Sequence, residues 1–96
     1  RALNIIGITG DSMIPTLDDG DFIIVDTSVT SFYTDAMFAF IIENDLFVKR
    51  IQKQASRIMV ISDNQKYAPY QLLPEDMENG FKVIGRVVTT CTVRKA

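Results

Sequence analysis

The chain contains no histidine. That absence removes Ser-His-Asp and Cys-His catalysis, histidine-ligated zinc and every HExxH arrangement. Any catalytic base here must be a lysine or a carboxylate. Cysteine is nearly as scarce: Cys91 stands alone, so neither an internal disulfide nor a CxxC site can form. Long apolar runs are missing too. The longest, Ala36 to Ile42, covers seven residues, where a membrane-spanning helix needs about 20. No signal-peptide pattern is visible, and a chain without disulfides suits a reducing cytoplasm. An initiator methionine is lacking as well; the opening Arg1-Ala2-Leu3 reads as the start of a piece of something longer.

What is present suffices for one small domain over residues 1–96. The 96 residues are 47% hydrophobic and 23% charged, enough for a single core and too apolar for a disordered tail. The net charge of −2 and pI of about 4.9 argue against an unaided grip on a phosphate backbone. Four stretches rich in β-branched and aromatic residues read as strands: Leu3–Thr9, Phe22–Asp26, Ala36–Ile42 and Leu46–Gln52. Arg57–Ser62 and a long Phe81–Val93 complete the set. Short polar gaps at 43–45 and 53–56 predict an antiparallel meander of the strands they separate. Lys66–Gly80, with Pro69 and Pro74, reads as loop, with room for one helical turn over Leu73–Asn79. The expected fold is all-β: a small domain of antiparallel strands and hairpins.

Two segments carry candidate chemistry. In Leu46-Phe47-Val48-Lys49-Arg50-Ile51-Gln52, strand alternation groups Phe47, Lys49 and Ile51 on one face. The other face turns polar along its length, so the first is expected to meet the core, carrying Lys49 inward. Burial disfavours the ammonium form and makes a lysine a usable base near neutral pH. A lysine whose stem packs while its head stays wet is the plain alternative. In Gly10-Asp11-Ser12-Met13-Ile14-Pro15-Thr16, a serine follows the first strand at a glycine-containing bend, and Pro15 drives Ile14 to extended backbone. A serine hydroxyl needs a base to become a nucleophile, and an ordinary turn is the alternative. The backbone N–H groups of Ser12 and Met13 are candidates for holding an oxyanion. Asp18, Asp19 and Asp21 lack the distal ligand of a calcium loop and read as a tight turn. Cys91 reads as a small packing residue and the six phenylalanines as core or interface aromatics. No metal or other cofactor is expected.

Taken together, Gly10-Asp11-Ser12-Met13-x-Pro15-Thr16-Leu17-x-Asp19-Gly20-Asp21, Val25-Asp26 and Val48-Lys49-Arg50-Ile51 resemble the peptidase domain of LexA and phage CI-type repressors. Val60-Ile61-Ser62-Asp63-Asn64, Tyr67-x-Pro69-Tyr70 and Ile84-Gly85-Arg86-Val87-Val88 are similar to the repressor branch. The resemblance runs from about Leu3 to Val88. It implies a Ser–Lys dyad, with Ser12 as nucleophile and Lys49 as the group that takes its proton. It also implies a homodimer, a DNA-binding helix-turn-helix on the amino-terminal side to reach operator DNA, and cutting of the protein's own linker when RecA filaments form. The present residues hold no such helix-turn-helix and no Ala-Gly or Cys-Gly bond of the kind relatives cut. A second reading keeps the fold and drops the cutting: a dimerisation module of a transcription factor, controlled by an antirepressor. Signal peptidase, with similar chemistry, would need a membrane anchor, and none is visible. Phe81–Val93, rich in Val, Ile and Thr, is expected to lie at a sheet edge and pair with a second copy through Ile84–Val93; a central strand fully paired within its own sheet is the plain alternative.

Overall fold

β-Branched and aromatic runs cut short by turn-forming residues become strands. The computed structural model describes residues 2–94; Arg1, Lys95 and Ala96, at the ends of the expected domain, lie outside the described residues. The strands are β1 (Leu3–Gly7), β2 (Phe22–Asp26), β3 (Ala36–Ile42), β4 (Asp45–Gln54), β5 (Arg57–Ile61), β6 (Tyr70–Leu72) and β7 (Lys82–Cys91). They form one sheet in the order β1-β2-β7-β3-β4-β5-β6, with every neighbouring pair antiparallel. The all-β expectation holds, and the meander is β3-β4-β5. Its first turn is Glu43-Asn44, with φ of 51° and 81°, the two-residue turn whose twist matches right-handed strands. The helical turn is a single 3-10 turn over Pro74–Met77.

Two expectations need correction. Tyr70–Leu72, expected as loop, is an edge strand pairing with Ile58–Val60; a three-residue strand is too short to show a period. β7 is not an edge strand. Its first half pairs with β3 over Lys82–Arg86, and Arg86–Cys91 pairs with β2. The strand as a whole thus lies between two neighbours, while its β-branched second half pairs with β2 alone.

Alternation along β3 sends Met37 and Ala39 to one face and Phe38 and Phe40 to the other. The first face holds Ile8, Met13, Leu17, Ile23 and Val25, with Val48 against them. The second holds Phe32, Ile51, Val60, Leu72 and Val83, with Phe47 against them. Edge-to-face contacts of Phe32 with Phe38 and Phe40, at 5.0 and 5.4 Å between centroids, order this second cluster. β4 is therefore apolar on both sides, and Val48 does not face solvent as the polar run after it suggested. Cys91 also departs from expectation: it is exposed, beside Ile5, Phe22 and Ile24.

β1 and β4 are separated by three strands, which in a flat sheet puts them about 19 Å apart at the usual spacing. Yet Gly7 and Leu46–Lys49 line the same cleft. The sheet curls over the first cluster until its end faces β4.

Candidate functional site

The segment from Ile8 to Leu17 fills the mouth of that curl. Ile8, Met13 and Leu17 are buried, the last two at 2% and 1% exposure, and peg the loop into the first cluster. Within it Leu17 N–H donates to the Met13 carbonyl at 2.9 Å, and the Ile14–Pro15 peptide is cis. Gly10, at φ 87°, makes the bend after β1, and its N–H donates to Asp19 Oδ1 at 2.8 Å. Ser12 is thus half-buried on a segment fixed at both ends.

The cleft, of about 180 Å³, is lined by Gly7–Gly10, Ser12 and Met13 on one side and by Leu46–Lys49 on the other. β3 pairs with β4 over Asp45–Ile51, and β5 only with Arg50–Gln54. Among the described residues no strand pairs with the second edge of Leu46–Lys49. That backbone edge therefore faces the cleft with N–H and C=O groups available to an extended peptide.

Ser12 and Lys49, expected as partners, are both on the cleft wall. Lys49 is half-buried. Burial pushes its pKa below the ordinary lysine value, and the Asp11 carboxylate partly opposes that shift. Its ammonium leans toward Tyr67, 5.9 Å from the ring centroid. No hydrogen bond joins it to Ser12 Oγ among the described residues. The Ser12 and Met13 N–H groups donate to no protein acceptor among those residues either. The three aspartates of the Asp18–Asp21 turn are spent on backbone: Asp21 accepts from Asp18 N–H at 2.9 Å and Val93 N–H at 3.1 Å, Asp18 from Asp19 N–H at 2.8 Å.

A third element, unforeseen as part of the site, holds the serine loop. In the segment after β5, Asn64 N–H donates to the Ser12 carbonyl and Asn64 Nδ2 to the Asp11 carbonyl, both at 3.0 Å. Asp63 accepts from Thr16 Oγ1 and from Arg50, whose Nε and Nη2 lie 2.7 and 3.2 Å from its two oxygens. Burial works to raise the Asp63 pKa, but the hydrogen bonds from Arg50 and Thr16 outweigh it and hold the carboxyl below its usual range. Arg50, next to Lys49, is a fastener and not a second base. The only local signal for this role was the Asp63-Asn64 pair itself, which reads equally as a turn.

Comparison with known proteins gives the family. Residues 1–88 match the Peptidase S24-like family. The chain is 36% identical over 88 residues to the 26 kDa repressor protein of Escherichia phage HK022, covering 92% of this chain and 37% of that protein. It is 32% identical over 80 residues to an uncharacterized HTH-type transcriptional regulator of Haemophilus influenzae, covering 82% of this chain and 33% of that one. The chain thus spans about a third of the length of either relative. With a match running over nearly all its residues, the chain belongs to the Peptidase S24-like family.

Proposed function

We propose that this is the regulatory domain of a cytoplasmic transcriptional repressor, and that it cuts its own chain with Ser12 and Lys49. The observation that carries the reading is the meeting of these two residues, 12 and 49 in a chain without histidine, on one cleft beside an unpaired strand edge. A linker segment laid along Leu46–Lys49 would present a peptide carbonyl to Ser12. Neutral Lys49 Nζ takes the Ser12 Oγ proton as Oγ bonds to the carbonyl carbon. The oxyanion accepts from the Ser12 and Met13 N–H groups. Lys49 returns its proton to the leaving amine as the C–N bond breaks, and water then releases the acyl group from Ser12. For this, Lys49 swings from the Tyr67 ring to Ser12 Oγ.

The test is a whole protein carrying its upstream linker. Cleavage speeds up as pH rises, because only the neutral amine can accept the proton, and levels off above the Lys49 pKa, itself below the ordinary lysine value. Ser12→Ala and Lys49→Ala each lower the rate by at least about 100-fold. Cutting that survives in Ser12→Ala overturns the mechanism, and an unsubstituted protein that stays whole at every pH is instead a non-cleaving module that answers to a partner protein.

We also propose a homodimer, which would let two DNA-binding heads reach a two-fold operator. Its support is narrower than an edge strand. From Val87 onward β7 pairs only with β2, and Val88 and Val93 are 38% and 53% exposed. The interface includes exposed positions between Ile84 and Val93. Sedimentation at micromolar concentration should find a dimer that Val88→Glu weakens; a monomer at every concentration refutes it.

A further inference from the structure

The Tyr67 ring is shared by two ammonium groups, Lys49 Nζ at 5.9 Å from its centroid and Lys66 Nζ at 5.3 Å. Its hydroxyl donates to Asp11 Oδ1, and Asp11 Oδ2 pairs with Lys66 Nζ at 2.6 Å. Asp11 immediately precedes Ser12. One carboxylate, one phenol and one ammonium therefore form a closed cluster between the serine loop and Lys49. We propose that the Asp11–Lys66 ion pair, joined to Lys49 through the Tyr67 ring, is a positioning device that sets the charge of Lys49 and seats its ammonium away from Ser12 until the proton leaves.

The physical basis is the contrast between the two forms of the amine. A ring face attracts an ammonium through its quadrupole and has no such hold on a neutral amine. Protonated Lys49 is therefore held at Tyr67, and loss of the proton both creates the base and frees it to move. The groups facing Lys49 are few. The loop after β1 supplies Asp11, and the loop after β5 supplies Lys66 and Tyr67. From β3 the cross-strand neighbour is Phe38, which is apolar. Arg50 is occupied by Asp63. Burial disfavours the charged form of Lys49 and Asp11 favours it; Lys66 puts a like charge at the same ring, and a like charge works against the charged form.

The inference rests on the Ser12–Lys49 reading for its consequence, but its test does not. Lys49 is titrated by NMR in this chain through its Cε and Nζ resonances, assigned by their loss in Lys49→Arg. Asp11→Asn removes a negative charge and leaves Lys66 uncompensated, so the Lys49 midpoint falls by about half a pH unit. Lys66→Met removes a like charge and leaves Asp11 uncompensated, so the midpoint rises by a similar amount. Opposite signs from the two halves of one ion pair are not what a loosened loop produces, since loosening moves both variants the same way. Nuclear Overhauser contacts between Lys49 and the Tyr67 ring, present below the midpoint, should weaken above it. Shifts of equal sign, an unmoved midpoint in either folded variant, or contacts that persist above the midpoint overturn the proposal. If Asp11→Asn fails to fold, the rise in Lys66→Met decides alone, and its absence overturns the proposal. Cleavage that survives Lys49→Ala would remove the catalytic reading and leave the titration result standing.

Discussion

Gly85 lies where β7 passes between β2 and β3, and its missing side chain leaves room for a neighbour's backbone. A Cβ there would stand 2.5 Å from the Asp26 carbonyl oxygen and 2.9 Å from its carbon. Both are main-chain atoms of a paired strand, and they cannot swing aside. Gly85→Ala is expected to cost about 1–3 kcal/mol of stability, as overpacking does, measured by denaturant unfolding. Gly7→Ala is the control, because its Cβ meets only the Phe22 ring at 3.8 Å, an ordinary contact. Nothing in the sequence marks one glycine as indispensable and the other as replaceable; the difference lies in which strand arrives alongside. Lys49 was more legible. Its apolar neighbours two positions away pointed it inward, and the structure has it half-buried on the cleft wall. What alternation could not supply was Tyr67, 18 positions further on in a segment read as loop.

Two elements, β2 and β3, were read to the residue, while β4 runs one residue earlier and two later than the expected Leu46–Gln52. β2 ends where the chain meets Asp26-Thr27-Ser28, with Ser28 N–H and Oγ both donating to Asp26 Oδ1, and β3 ends at the two positive-φ residues Glu43 and Asn44. β1 stops at Gly7, short of the expected Thr9, because the next residues leave the ladder to carry the serine loop. The segment after β5 shows how a loop becomes part of a site by bonding to the backbone of another loop. Asn64→Ala removes the bond from Nδ2 to the Asp11 carbonyl and keeps the one from its own N–H to the Ser12 carbonyl. We expect a stability loss of about 1 kcal/mol and faster amide hydrogen exchange over Asp11–Met13, with exchange in β3 changed far less. Equal changes at both places would show that Asn64 supports the whole sheet and not the serine loop.

At the scale of the molecule, the feature furthest from sequence reading is the place of β7. Hairpins join neighbours in the chain and can be foreseen from turn lengths. The pairing of the last strand with β2, more than 60 positions earlier, is set by which surfaces remain unsatisfied after local pairing. β1-β2 is one hairpin and β3 to β6 a chain of local pairings, and the sheet joins these two groups only through β7. Consequently, a nascent chain leaving the ribosome holds two unfinished pieces until β7 emerges. At about 5–20 residues per second, that leaves several seconds in which the second edge of β2 and that of β3 stay open. A chain stopped at Gly80 should therefore lack cooperative unfolding and aggregate through those edges, and a separate peptide covering 81–94 added in trans should restore a single transition. The strand that comes last in the sheet's chain order is the one that closes it, so the domain acquires its cleft, and any capacity to cut, only after β7 has been made.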